Sequence, residues 1–310
     1  MSSAHTAPRP LPTTIPDYLA QLRAALAGAD PALVQDALYD AEEYLRSELA
    51  EQPGKSEAEV IAGVAGSYGA PEEVAEIYRD TEVTVSRALK PPAPPKRKSL
   101  AGRFFGVVAD PRAYGSLFYM LLSLVTGIFY FTWLVTGVSV SAGLLILIVG
   151  VPLLVLFFGS VRLLSLVEGR VVEVLLGERM PRRPLYSAPE QPWLQRIGQM
   201  FTDARTWTTM LYFLLMLPLG IFYFTVFAAL LSTSLLLLLL APAALFAPDV
   251  ADLTVHVGPL HWIGSEAWLP LLLASVLGAA LFFVTLHLSR GFGKAHGLLA
   301  KHLLVRSAEA

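Results

Sequence analysis

Two stretches of this chain carry no charged side chain. One runs from Ala113 to Val161, between Arg112 and Arg162, and the other from Thr206 to Pro248. Crossing the hydrocarbon of a bilayer takes about 20 apolar residues, so the first tract has room for two spans with a turn near Gly137–Ser141. A last apolar stretch covers residues 267–289. The whole chain is 55% hydrophobic and only 15% charged, where a soluble domain is about a quarter charged. The sequence therefore predicts an all-α protein dominated by a polytopic membrane domain, with spans at about 114–136, 141–162, 208–231 and 267–289.

The hexapeptide GIFYFT occurs at 127–132 and again at 220–225. Aligned at an offset of 93, residues 110–133 and 203–226 agree at twelve of twenty-four positions. The matches include Asp110/Asp203, Arg112/Arg205 and Tyr119/Tyr212. A weaker match at an offset of 124 pairs LSLVEGR (164–170) with LSRGFGK (288–294). The pattern is a duplicated unit: amphipathic helix, span, turn, span, amphipathic helix. The second copy carries an insertion near 235–265.

Lysine and arginine set the expected orientation. Residues 96–112, 162–205 and the tail after Arg290 are basic, whereas 249–266 has three acids and no Lys or Arg. Both termini are then expected on the cytoplasmic side of a bacterial inner membrane. The two copies should run in the same direction, as parallel two-span repeats about an axis along the membrane normal. The second tract is long enough for a fifth span, which would put the basic C-terminus outside. Residues 233–247 are therefore read as a re-entrant or interfacial segment. Asp249, Asp252, His256, His261 and Glu266 fit no familiar metal-ligand spacing and read as a solvated loop, and Trp262 and Trp268 as interface anchors.

In the hexapeptides, Gly127 and Gly220 allow close helix approach. Buried hydroxyls on Tyr130 and Tyr223 need partners. With Phe129, Phe131, Phe222 and Phe224 they form an expected aromatic layer between the copies, either a pocket for an apolar ligand or plain packing. Asp110 and Asp203 read as helix N-caps, with Arg112 and Arg205 as membrane-surface anchors.

Residues 1–14 are polar and proline-rich, without the apolar core of a secretory signal, and read as a disordered tail. Residues 15–90 hold fifteen acids against six bases, a balance of −9, while the rest of the chain holds ten against seventeen, +7. Helical periodicity predicts a small bundle here. Asp30-Pro31 supplies an N-cap followed by proline at the first helical position. Ser56 to Glu59 fits a capping box, and Gly69 a left-handed stop. Val74, Ile77 and Tyr78 are expected to face inward. Asp36, Asp40 and Glu43 share the polar face of the second helix. They read as a docking stripe or a cation site, set against a simply solvated face. The segment PPAPPKRK, within a linker at 91–99, favours an extended spacer.

The stretch 54–79, preceded by 33–49, resembles the HAAS family of small cytoplasmic helical signalling domains. Gly54, Lys55, Ser56, Glu59, Gly69, Pro71, Glu72 and Ala75 carry the resemblance, and Ser67-Tyr68 departs from it. Residues 100–306, through the repeated Gly-Ile-Phe-Tyr-Phe, 147–177 and HGLLAKHLLV (296–305), resemble the sensor domain found in many bacterial signalling proteins, often ahead of a histidine-kinase module. No kinase or nucleotide-binding module is read after it here. The resemblance implies a sensor whose output is the N-terminal domain or a partner such as a PadR-like transcriptional regulator.

The expected function is a non-enzymatic membrane sensor or signalling adaptor. Its acidic domain would dock on a basic surface of Arg162, Arg170, Arg182, Arg183 and Arg196. The alternative is a transporter or channel subunit, against which stands the reading that no ionisable residue lies deep in the spans. No catalytic constellation, metal site or cofactor site is recognised. Cysteine is absent, which excludes disulfides, thiolate catalysis and cysteine-bound zinc. The acidic domain argues against direct nucleic-acid binding, and self-association is left open.

Overall fold

A computed structural model of the protein describes residues 10–89, 99–146, 150–183, 198, 201–246 and 268–305. Every regular element among them is helical. The N-terminal domain comprises α1 (Ile15–Ala25), α2 (Pro31–Glu51), α3 (Glu57–Val64) and α4 (Pro71–Leu89). Local chemistry sets its boundaries. Asp30 caps α2, its Oδ1 accepting from Ala32 N at 2.9 Å. Ser56 and Glu59 form both halves of the capping box of α3. Gly69, at φ +109°, turns the chain into α4. Tyr18, Leu22, Leu26, Ala41, Leu45 and Ile61 fill the core, and the buried Tyr18 hydroxyl donates to the Gly69 carbonyl at 2.8 Å. One inward residue was misjudged. Val74 and Ala75 are buried, but Ile77 is exposed, because the inward arc of α4 runs 74–75–78 and leaves 77 at its rim.

A short α5 (Leu100–Phe105) and a 3-10 turn (Gly106–Ala109) lead to four long helices. These are α6 (Pro111–Leu144), α7 (Gly150–Leu176), α8 (Ala204–Phe246) and α9 (Trp268–Leu304). Each is long and apolar enough to cross a membrane, so this is a membrane protein. The second span and the amphipathic helix expected after it form one continuous helix in each copy.

Two expectations about these helices are corrected. The turn placed at Gly137–Ser141 is not there: α6 continues to Leu144. Gly137 makes room for the Phe157 ring of α7 and Ser141 is buried, so the small residues serve packing. Residues 233–246 are not a separate re-entrant element but the end of the 43-residue α8, about 64 Å long at 1.5 Å per residue. Ser275 of α9 helps α8 continue to Pro242 and beyond. Its hydroxyl accepts from Ala241 N at 3.1 Å and donates to Leu237 O at 3.2 Å. It thereby bridges a rung of the helical ladder just before the proline, where an inserted side chain is a familiar remedy.

The two copies meet at a close crossing of α6 and α8. A Cβ on Gly127 would overlap the Met216 carbonyl, and one on Gly220 would overlap the Ser123 carbonyl. Tyr130 stacks on Phe213, ring centres 4.5 Å apart. Leu134 and Val138 share a groove with Trp207, Met210 and Leu211. Between α6 and α9, Ser289 Oγ meets Ala113 O and Tyr119 meets His296; between α7 and α8, Arg162 meets Asp203 and Glu168 meets Tyr212. The segment after α7, the start of α8 and the end of α9 all reach the N-terminal domain, through Arg179, Arg205 and Lys301.

Both capping aspartates confirm the exchange between copies. Asp110 Oδ1 accepts from Arg112 N at 3.1 Å and Asp203 Oδ1 from Arg205 N at 3.2 Å. The other oxygen of each meets an arginine of the opposite copy, Arg290 at 3.0 Å and Arg162 at 3.4 Å.

Replacing Gly127 or Gly220 by alanine should force α6 and α8 apart and lower stability by about 1–3 kcal/mol, the usual cost of overpacking. Gly143 and Gly159 are helical glycines with open space around the Cβ position. Alanine there should be neutral or stabilising by up to about 1 kcal/mol. Thermal melts of the four variants in one detergent provide the comparison; equal losses at all four sites would refute the glycine–carbonyl contact.

Candidate functional site

The closest approach of α6 and α8 brings four tyrosines around one carboxylate and one imidazole. Tyr119 and Tyr130 lie eleven residues apart on α6 and so share a face; Tyr212 and Tyr223 repeat the arrangement on α8. Glu168 reaches in from α7 and His296 from α9, with relative exposures of 0% and 1%. Glu168 Oε1 accepts from the hydroxyls of Tyr119 at 2.6 Å and Tyr212 at 2.9 Å, and Oε2 from Tyr130 at 2.9 Å. His296 Nε2 lies 2.8 Å from Tyr119 Oη and 3.0 Å from Tyr212 Oη, while Nδ1 lies 3.4 Å from Tyr223 Oη. The hydroxyls of Tyr119 and Tyr212 are themselves 3.3 Å apart. One continuous network thus joins an acid from the first copy to a base from the second.

Sequence reasoning missed both ionisable groups. It assigned the segments after the second and fourth expected spans to amphipathic helices; Glu168 and His296, in those segments, are instead buried at the centre of the bundle. A usable signal was present. At an offset of 124, Ser165/Ser289 and Gly169/Gly293 mark buried faces, and Glu168 sits on that face opposite Phe292. The hexapeptide residues divide. Gly127 and Gly220 form the crossing, and Tyr130 and Tyr223 enter the network. Phe129, Phe222 and Phe224 are exposed on the outer surface, and Phe131 is half-buried.

A second polar constellation joins the N-terminal domain to the helical bundle. After Gly177 the chain doubles back along α7, and Met180 packs over Gly169. Arg170 secures this strap through the carbonyls of Met180, at 3.1 Å, and Pro181. Asp36, on α2, is buried against the strap. Its Oδ1 accepts from the backbone N–H groups of Arg182 at 2.7 Å and Arg183 at 2.9 Å, and its Oδ2 from Arg179 at 3.1 Å. Burial pushes the Asp36 carboxyl above its usual range, outweighing the two backbone donors and Arg179, which pull it down.

Around this carboxylate, Arg183 pairs with Asp40 at 3.0 Å, and Asp40 also accepts from the Tyr78 hydroxyl at 2.8 Å. Gln35 donates to Arg183 O and accepts from Arg205, each at 2.8 Å. Lys301, near the end of α9, pairs with Asp30. Arg179 bridges Asp36, Glu82 and Glu173.

Of the docking residues named from sequence, Asp36, Asp40, Arg182 and Arg183 therefore come together. Arg170 braces the strap from behind. Arg162 turns instead to Asp203, Glu43 is exposed elsewhere on α2, and Arg196 lies outside the described residues. So do the acids and histidines of 249–266. Asp30, Gln35, Arg179 and Lys301 were not foreseen. No group of three or more metal-ligating side chains occurs among the described residues.

Comparison with known proteins agrees with this two-part architecture. Residues 17–77 match the HAAS family model and residues 119–304 match the Sensor family model. No curated protein and no solved structure matches the chain. A helical bundle of four long apolar helices, matched over more than half of the chain, and a capped four-helix domain in front of it identify a member of the Sensor family carrying an N-terminal HAAS domain.

Proposed function

We propose that this protein is a non-enzymatic membrane sensor in which the packing of α6–α9 decides whether the HAAS domain is held or released. The observation that carries the reading is the Asp36 joint. A buried carboxylate of the HAAS domain takes three N–H donors from a strap that is itself seated on α7. Lys301 adds a contact from α9. Shifting α7 against α9 therefore moves both sides of the surface on which the domain rests. Released, the acidic face of α2 becomes available to a cytoplasmic partner; the HAAS resemblance suggests a PadR-like regulator.

Placement in the bacterial inner membrane with both termini cytoplasmic is part of the proposal and rests on the lysine and arginine distribution. The HAAS domain, the strap and Lys301 are in contact and so share one side. With no native cysteine, single reporters at Ser47, Arg182 and His302 in sealed vesicles should all react with a membrane-impermeant reagent from the cytoplasmic face. A reporter reacting only from the other face would exclude this arrangement.

Replacing Asp36 by alanine should weaken docking by about 3 kcal/mol, since it strands buried donors. Hydrogen exchange of residues 32–40 and 177–183 would then rise together, while the core of α1 and α3 stays protected. Unchanged exchange in both segments would remove the joint from the mechanism.

A second reading, transport, gains from two observations. Internal repeats with ionisable groups where the copies meet are common in secondary transporters, and Glu168 and His296 occupy such a place. Reconstituted liposomes decide it: solute or ion flux that is lost in Glu168→Gln would favour transport over sensing.

A further inference from the structure

The hydrogen-bond network at the centre of the bundle also fixes how many protons it can hold. With Glu168 ionised and His296 neutral, every strong position is filled. The carboxylate accepts from Tyr119, Tyr130 and Tyr212. Nε2–H donates toward the oxygens of Tyr119 and Tyr212. Nδ1 accepts from Tyr223. This state buries one uncompensated negative charge, which is costly away from water.

The groups facing the cluster are known from each packed element: Tyr119 and Tyr130 from α6, Glu168 from α7, Tyr212 and Tyr223 from α8, and His296 from α9. Glu178 packs against Gly297 from the strap. On the neighbouring turns, Arg170 is committed to Glu173 and the strap carbonyls, Arg290 to Asp110 and Lys301 to Asp30. Only a proton can neutralise the cluster without bringing in a new side chain.

The geometry accepts one. If a proton joins Glu168 Oε1, it can donate to Tyr119 Oη. Tyr119 then turns its own hydrogen to His296 Nε2, and His296 holds its hydrogen on Nδ1, facing Tyr223 Oη. The hydroxyls of Tyr130 and Tyr212 still donate to the carboxyl. Hydroxyl rotation and a tautomer exchange suffice, with no heavy atom moved. The added proton comes from water and belongs to the acid–base pair jointly rather than to either residue.

We propose that the Glu168–His296–tyrosine cluster is a binding site for a single proton, and that its occupancy sets the docking of the HAAS domain. This rests on the docking reading above. Protonated, the cluster is neutral and α7 and α9 stay together. Deprotonated, the buried charge favours separating them toward solvation. Both helices lead directly to the joint, α7 through the strap and α9 through Lys301, five residues beyond His296. Docking is therefore lost as pH rises. Asp36 titrates in the same direction, because burial holds its carboxyl up in the docked state, so the test needs variants that separate the two.

The experiment uses the full chain in lipid nanodiscs across a pH series. Infrared difference spectra read proton uptake, and hydrogen exchange of residues 32–40 and 177–183 reads docking. Wild type should show a carboxyl or imidazole signal whose titration coincides with loss of docking on the alkaline side. Glu168→Gln should abolish the cluster's signal and leave only the transition that Asp36 itself produces. Tyr130→Phe, which keeps the acid but removes one donor to the carboxylate, should move the transition to higher pH by about one unit; it serves as the deciding variant should Glu168→Gln not fold.

An identical docking transition in Glu168→Gln and wild type, or an unmoved transition in Tyr130→Phe, overturns the proton site while leaving docking intact. If 32–40 and 177–183 lack protection at every pH in wild type, it is the docking reading that falls.

Discussion

The bundle is organised by two backbone contacts, Gly127 against the Met216 carbonyl and Gly220 against that of Ser123. Helices carrying ordinary side chains at a crossing stay about 8–10 Å apart. Without Cβ atoms at this crossing, α6 and α8 come closer. That approach lets the hydroxyls of Tyr119 and Tyr212, one from each copy, meet at 3.3 Å over a single carboxylate. In lipid there is little hydrophobic drive between helices, so small residues and interhelical hydrogen bonds must supply association. Here the two are coupled: the glycines set the separation at which the tyrosines can share Glu168.

The duplication explains the asymmetry of that centre. Equivalent positions in the two copies hold Glu168 and Phe292, and one turn later Val172 and His296. Two glutamates facing the same pseudo-twofold axis would repel, and one would be forced to keep its proton. Phe292 removes that conflict and packs its ring against Tyr223, centres 5.9 Å apart. The shape of the repeat is retained in Ser165/Ser289 and Gly169/Gly293, while the charge is confined to one copy and its basic partner to the other. A duplication can thus keep its packing face and still differentiate at the axis.

Much of this was legible in the residues. The caps at Asp30, Ser56, Asp110 and Asp203 act locally, through side chains two or three positions away, and were found where the sequence placed them. The repeat was legible because an aromatic hexapeptide at a fixed distance from Asp-x-Arg does not recur by chance. Glu168 was hidden. A lone acid in VEGRVVE looks like surface until the tyrosines 38 and 49 residues before it and 44 after it are known to converge on it. Asp36 was seen as part of an acidic stripe, but its burial depends on a strap whose path no periodicity encodes.

The HAAS joint is built to be shifted rather than to be strong. Several of its ion pairs, Arg183–Asp40 and Lys301–Asp30 among them, retain solvent exposure, and such pairs contribute about 0–1 kcal/mol each. Asp36 is the exception, buried with three donors. Moving a two-state equilibrium from one extreme to the other takes about 5.5 kcal/mol, more than that one carboxylate supplies at about 3 kcal/mol. Complete release therefore needs the strap and Lys301 to leave together. They are positioned to do so, because the strap rests on Gly169, beside Glu168, while Lys301 follows His296 on one unbroken helix. In the proposed sensor, an event that separates this acid from this base would move both supports of the domain in a single step, and the central network and the distant joint would respond as one element.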